Sequence, residues 1–125
     1  MGFILSILTA FILNLTGGDV PYTAVENAFS NGDAAKIVSF GKDKILLNVL
    51  DKEGVYASAQ ATQVLKEFFN KKPVSSFKYT FKGATADGAN AMGNYISKGE
   101  TFRVTLKWTK SSGEYKIESI TIEKS

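Results

Sequence analysis

The side chains that most often carry catalysis are absent from this sequence. Its 125 residues include no cysteine and no histidine, which excludes thiolate nucleophiles, zinc sites built on these residues and triads with a histidine base. Any chemistry would depend on carboxylates, lysines, tyrosines or hydroxyl groups. The acids that we considered as a buried base fall at predicted turns, at strand ends or on the polar side of a helix: Asp51, Glu53, Glu67, Asp87, Glu100 and Glu114. We therefore predict no catalytic residue.

Two neighbouring acids could contribute to a cation site. Asp51 and Glu53, with nearby backbone carbonyls, offer the oxygen ligands that calcium prefers. Their spacing matches no complete calcium-binding loop, and charged residues are common in a plain β-turn. The sequence thus predicts no metal site and no cofactor.

The charge distribution argues against nucleic acid as a partner. The formal net charge is only +3, and the lysines are spread along the chain, whereas nucleic-acid binders concentrate basic residues on one face. Arg103 is the only arginine. It either anchors an anionic ligand or pairs across the sheet with a glutamate such as Glu118.

The N-terminus resembles an export signal. Residues 2–15 read GFILSILTAFILNL, an uncharged apolar run that small residues follow. A transmembrane helix needs about 20 apolar residues, so this run is short for crossing a membrane. No lysine or arginine precedes the run, which is unusual for a signal peptide, and an integral first helix is the alternative. We expect residues 1–18 to be an export segment, the protein to be periplasmic or secreted, and membrane contact only if the segment is retained.

Hydrophobic periodicity predicts helices followed by strands in residues 19–125. Spacings of three and four residues predict two short helices, capped by Asp19 and Asp33, and a third helix from Ala59 to Asn70 with Ser58 as its cap. The turn at Asp51–Gly54 separates a strand from a brief extended piece. Strands are predicted over Lys44–Leu50, Ser75–Lys82, Ala89–Ser97, Glu100–Lys110 and Glu114–Glu123. In the last of these the apolar residues change face, which predicts a β-bulge near Glu118.

Four segments resemble a known family. They are DKEGVY at Asp51–Tyr56, LKEFFNKKP at Leu65–Pro73, SFKYTFKG at Ser76–Gly83 and YKIESITIEK at Tyr115–Lys124. In order and separation they are similar to the domain of unknown function 4783 family, small exported proteins of Bacteroidota. The resemblance covers about residues 19–124. It implies a single α+β domain similar to nuclear transport factor 2, in which helices pack across a strongly curved antiparallel sheet to make a cone. It implies no activity.

A cone has a concave face that can hold a ligand. The aromatic candidates for its lining are Phe40, Phe68, Phe69, Tyr79, Phe102 and Trp108. The alternative is that these side chains simply fill the core. We also expect Tyr79 and Phe81 to share the strand face that packs on the helix bearing Phe68 and Phe69.

Three functions remain open after these exclusions. The first is an exported, non-enzymatic domain that binds a small apolar ligand or a protein partner through the cone or the sheet face, with homodimerisation on that face. The second is a small isomerase or dehydratase-like enzyme with the cone as its active site. The third is a structural protein of the cell envelope.

Overall fold

The computed structural model describes residues 19–125, and the predicted export segment lies outside them. These described residues form three helices: α1 (Tyr22–Ser30), α2 (Ala34–Ser39) and α3 (Ser58–Lys71). Six strands complete the domain: β1 (Gly41–Val49), β2 (Lys52–Ala57), β3 (Ser76–Ala84), β4 (Gly88–Ser97), β5 (Glu100–Ser111) and β6 (Glu114–Lys124). No helix within residues 19–125 is both long and apolar enough to span a membrane.

The strands form one sheet in the order β2-β1-β6-β5-β4-β3. The sheet is unclosed, since β2 and β3 form its two edges. All neighbours are antiparallel except β1 and β6, which pair in parallel. The predicted α+β class is confirmed. The parallel pair is the exception to the predicted antiparallel sheet, and it arises because the last strand returns to the middle of the sheet beside the first.

The starts of the helices differ from the predicted caps at two of three places. The Asp33 carboxylate accepts a hydrogen bond from the Lys36 amide at 3.1 Å, so the predicted cap of α2 is confirmed. Helix α1 begins one residue after Pro21, and Asp19 does not cap it. Helix α3 begins at Ser58 itself, without a side-chain cap. Its position depends instead on the apolar stripe of Ala61, Leu65, Phe68 and Phe69, which is buried.

Two β-bulges decide which side chains face the helices. The pairing of β5 with β6 shifts where Lys107 faces Ser119 and Trp108 faces Ile117. Glu118 is the extra residue, which confirms the predicted bulge and buries residues on both sides of it. A second bulge at Thr80 was not predicted. It turns the Phe81 side chain outward, where half of its surface is exposed (50%). The expectation that Phe81 packs with Tyr79 against the helix bearing Phe68 and Phe69 was therefore wrong.

Helix α1 covers the β3 edge of the sheet through hydrogen bonds. The Tyr79 amide donates to Glu26 Oε2 at 3.3 Å, and the Tyr79 hydroxyl donates to the Tyr22 carbonyl at 2.9 Å. In return, the Tyr22 hydroxyl donates to the Gly83 carbonyl at 3.2 Å. These contacts satisfy backbone groups that an edge strand would otherwise present to a neighbouring chain.

The small residues of β4 make room for aromatic side chains on the inner face of the sheet. A Cβ atom at Gly93 would lie 2.7 Å from the Phe77 ring and 2.8 Å from the Lys78 carbonyl oxygen. Phe77 in turn stacks on Phe29 of α1, with ring centroids 4.9 Å apart. The space that the small residues leave beside the sheet is therefore filled by Phe77.

Candidate functional site

Three of the six predicted lining residues lie in one aromatic cluster between α3 and the sheet. The Phe68 ring lies 5.5 Å from Phe102 and 5.1 Å from Tyr95, and Phe69 lies 5.9 Å from Tyr95. All four side chains are buried. Edge-on and tilted contacts of this kind stabilise a packed core. At this position the inner face of the sheet is filled by side chains.

Tyr79 and Trp108 lie further along the sheet, on either side of Tyr22. The Tyr22 ring meets Tyr79 at 5.9 Å and Trp108 at 5.4 Å, both edge-on. Trp108 is fully buried and Tyr79 is half-buried. Burial raises the pKa of Tyr79 and of Tyr22 above the ordinary value. Both phenols are therefore neutral over the physiological pH range.

Phe40 is separated from the other five candidates. It follows α2, is half-buried, and has the Lys36 ammonium 5.6 Å from its ring centre. It lines a shallow hollow beside Pro21 and Tyr115. The six candidates therefore do not converge on one cavity.

An apolar groove lies at the other end of β1, between α3 and the turn that joins β1 to β2. Its volume is about 230 Å³. We call it the hairpin groove, and its lining consists of Val49, Leu50, Lys52, Tyr56, Val64, Glu67, Phe68, Lys71 and Lys72. Phe68 is the only predicted lining residue among them. The groove was missed because its walls come from three segments that only the folded chain brings together.

The turn between β1 and β2 places Leu50 in the wall of the groove. Val49 pairs with Lys52, so the loop contains only Leu50 and Asp51, both with positive φ (51° and 72°). This is the backbone of a type I′ turn, which favours asparagine and glycine. The predicted turn at Asp51–Gly54 was therefore too late by two residues, since the observed turn is Val49–Lys52. Leu50 has a backbone conformation that is unfavourable for leucine. It remains 40% exposed.

Tyr56 forms another part of the wall because Gly54 has no side chain. A Cβ atom at Gly54 would lie 2.8 Å from the Tyr56 ring and hydroxyl. The tyrosine therefore lies over the glycine on the same face of β2 and extends to the groove. Val64 and Phe68 of α3 provide the apolar side opposite.

Lysines dominate the rim of the groove. Lys72 is bound to Glu100 at 2.7 Å, and Lys124 reaches the second oxygen of the same carboxylate at 2.9 Å. Hydrogen bonds from these two lysines lower the pKa of Glu100 to about 2. Lys52 and Lys71 have no carboxylate within ion-pair distance among residues 19–125. The rim therefore presents two unneutralised positive charges.

Arg103 pairs with a different glutamate from the one proposed on sequence grounds. Its Nε and Nη2 atoms both lie 3.3 Å from Glu123 Oε2, whereas the Glu118 carboxylate accepts a hydrogen bond from Thr109. The bulge at Glu118 sets this register, in which Arg103 faces Glu123 directly. The expected pairing of Arg103 with a glutamate of the neighbouring strand is confirmed, with Glu123 in the place of Glu118, and the pair lies on the exposed outer face of the sheet.

The arrangement of polar groups is suited to binding. Within the described residues, no three acids come together where they could hold a metal ion. The buried hydroxyl of Tyr95 donates to the Lys72 carbonyl at the end of α3, and burial raises its pKa. The groove combines apolar walls, a positive rim and one acid, Glu67.

Solved structures of similar sequence share this fold over nearly their whole length. A DUF4783 family protein from Bacteroides ovatus is 27% identical, with a TM-score of 0.81 over 87% of this chain and 98% of its own. A second, from Bacteroides uniformis, is 25% identical, with a TM-score of 0.80 over 86% of this chain and 98% of its own. An NTF2-like protein of unknown function from Shewanella baltica, at 11% identity and a TM-score of 0.64, covers 83% of this chain and 87% of its own.

These likenesses confirm the predicted fold, similar to nuclear transport factor 2. No curated protein matches the sequence. The family model described as a domain of unknown function, DUF4783, matches residues 22–123, which include the first three segments of the predicted resemblance and all but the last residue of the fourth. The chain therefore belongs to the DUF4783 family.

Proposed function

We propose that this domain is a non-catalytic binding protein, and that the hairpin groove holds the alkyl chain of a short fatty acid whose carboxylate contacts Lys52 and Lys71. The observation that carries the proposal is the combination of an apolar groove of about 230 Å³ with two lysines on its rim that have no carboxylate partner within residues 19–125.

The size of the groove supports a short ligand. Pockets for drug-sized molecules usually measure about 300–1,000 Å³, and this groove is smaller. It is open along one side, between Leu50 and the C-terminal half of α3. A single alkyl chain of moderate length fits an apolar space of this volume.

The charges at the rim support an anionic end group. Lys72 is already held by Glu100, so Lys52 and Lys71 are the cations left to contact a ligand. Glu67 lies on the same rim and would repel an anion placed beside it. We infer that the carboxylate lies between the two free lysines, with the alkyl chain between Leu50, Val64 and Phe68.

Isothermal titration of the full chain with octanoate tests the proposal. Wild-type protein should bind one octanoate, and Lys52→Met and Lys71→Met should each weaken binding by about two- to fivefold, as expected for partly exposed charge pairs. Lys66→Met is the matched control, because Lys66 is an exposed lysine of α3 that does not line the groove. Its affinity should equal that of wild type.

Two results would refute the assignment. One is the absence of saturable octanoate binding to the wild-type chain. The other is equal octanoate affinity for the two rim variants and the Lys66→Met control, since binding would then not involve this rim.

A further inference from the structure

The single tryptophan of the chain carries a buried hydrogen-bond donor. Trp108 is fully buried, and its Nε1–H has no acceptor among residues 19–125. Leaving a buried donor unpaired is costly, and native proteins contain few such groups. The unpaired N–H of Trp108 is therefore unusual for a native protein.

Tyr22 contacts both the indole of Trp108 and a hollow at the surface. Tyr22 meets the Trp108 ring edge-on at 5.4 Å, and it also lines a surface hollow of about 420 Å³. We call this space the Tyr22 hollow, and its other lining residues are Asp19, Val20, Ala84 and Tyr115. Tyr22 is the first residue of α1 and is half-buried, and its side chain makes one hydrogen bond to the sheet, from its hydroxyl to the Gly83 carbonyl at 3.2 Å. A change of its rotamer would open the hollow toward the indole.

Small side chains lie along the path from the hollow to Trp108. Ala84 pairs with Ala89 across β3 and β4, and Ala89 pairs with Trp108 across β4 and β5. Directly paired residues share a face of the sheet. A row of two alanines therefore leads from the Tyr22 hollow to the indole, and a planar group can enter along it once Tyr22 moves aside.

The surroundings define the chemical class of the ligand. The only unused polar group along this path is a donor, so the ligand must present an acceptor. The path is bordered by alanines and aromatic rings. Asp19 lines the hollow, and the Lys82 ammonium lies 5.5 Å from the centre of the Tyr22 ring. A charged group beside the indole would lose its hydration without compensation. A neutral carbonyl on a small flat apolar molecule meets these conditions.

We propose that Tyr22 covers a second binding site, separate from the hairpin groove, in which Trp108 Nε1 donates a hydrogen bond to the carbonyl oxygen of a small neutral aromatic ligand. The site goes beyond the fatty-acid function proposed above and does not depend on it.

NMR of the ¹⁵N-labelled full chain tests this proposal, because one tryptophan gives one indole N–H signal. Acetophenone is the probe, and α-methylstyrene is the matched control, since it has the same skeleton with a CH₂ group in place of the carbonyl oxygen. Acetophenone should shift the indole signal saturably. The hydrocarbon should shift it much less, and octanoate should leave it unchanged.

Substitutions at Trp108 and at Tyr22 test the hydrogen-bond donor and the side chain that covers it separately. Trp108→Phe removes the N–H and should weaken acetophenone binding by about fivefold, the size expected for one lost hydrogen bond. Tyr22→Ala removes the cover and should strengthen binding, and Tyr22→Phe, which keeps the ring but loses the hydrogen bond to Gly83, should strengthen it less. Binding to the variants is followed through backbone amides of β4 and β5, which also report whether each variant is folded.

The proposal is overturned if acetophenone causes no saturable shift, if α-methylstyrene binds equally well, or if folded Trp108→Phe keeps the wild-type affinity. If Trp108→Phe does not fold, the comparison of the two probes on wild-type protein decides alone. A negative result with acetophenone would not affect the interpretation of octanoate binding, because the hairpin groove and the Tyr22 hollow share no lining residue.

Discussion

At the residue scale, folding lowers the pKa of Glu100 more than that of any other acid among residues 19–125. The ammonium groups of Lys72 and Lys124 bind its two oxygens and lower its pKa from the ordinary 4.5 to about 2. A carboxylate with a lowered pKa stabilises the folded state above its unfolded pKa, and this contribution disappears as the pH falls through the folded value. The contribution of Glu100 is therefore complete above about pH 4.5 and is lost toward pH 2.

This titration gives a prediction for acid unfolding. Glu100→Gln cannot ionise, so its free energy of unfolding should fall less between pH 4.5 and pH 2 than that of wild type, as measured by urea titration at both values. Glu53→Gln is the control, since Glu53 is exposed and has no ion pair within the described residues. It should lose as much stability as wild type. An identical loss in Glu100→Gln would show that the two lysines do not stabilise this carboxylate.

At the element scale, the β1–β2 hairpin departs from what its turn type favours. A leucine with φ of 51° costs about 1–2 kcal/mol, and burying part of its side chain returns a contribution of similar size. Leu50 is thus close to neutral for stability while forming a wall of the hairpin groove. Strained residues are often retained at binding sites.

Substitutions at Leu50 and Asp51 distinguish the effect of the turn on stability from its effect on octanoate binding. Leu50→Asn should change the free energy of unfolding by less than about 1 kcal/mol, because strain relief offsets the lost contacts, and should weaken octanoate binding at least about fivefold. Asp51→Gly suits the same turn without removing the wall, so it should be at least as stable as wild type and bind octanoate equally. Urea unfolding and calorimetry measure both quantities. A Leu50→Asn variant that is much less stable but binds normally would show that Leu50 serves the fold alone.

The elements also show which local features sequence patterns can predict. The bulge at Glu118 was predictable because the apolar residues of β6 change face around it, whereas the bulge at Thr80 was not, since Phe77, Tyr79 and Phe81 alternate without interruption. The positive φ of Leu50 carries no sequence signal, because leucine is disfavoured there. Sequence patterns show which face of a strand is buried. They do not identify the single residues at which tertiary contacts interrupt the regular strand or turn.

At the scale of the whole molecule, the class and the order of elements were predictable, but the hairpin groove was not. Helix and strand periods and the four family segments led to the α+β fold, which the DUF4783 structures confirm. The parallel β1–β6 pair and the hairpin groove depend on contacts between distant segments, such as Leu50 with the end of α3. The six aromatic candidates were chosen for a cone whose inner face proves to be largely filled by buried side chains, aliphatic as well as aromatic.

The central claim is that the hairpin groove binds a short alkyl carboxylate, and a series of alkanoates from butanoate to dodecanoate tests it most directly. Each added CH₂ buried in the groove contributes about 0.8 kcal/mol, or roughly fourfold in affinity. Calorimetry on the full chain should show affinity rising by about this factor with one ligand bound, then levelling once the groove is full, and Leu50→Asn should flatten the rise. Affinity that does not depend on chain length, or that rises without limit while more than one ligand binds, would contradict the claim.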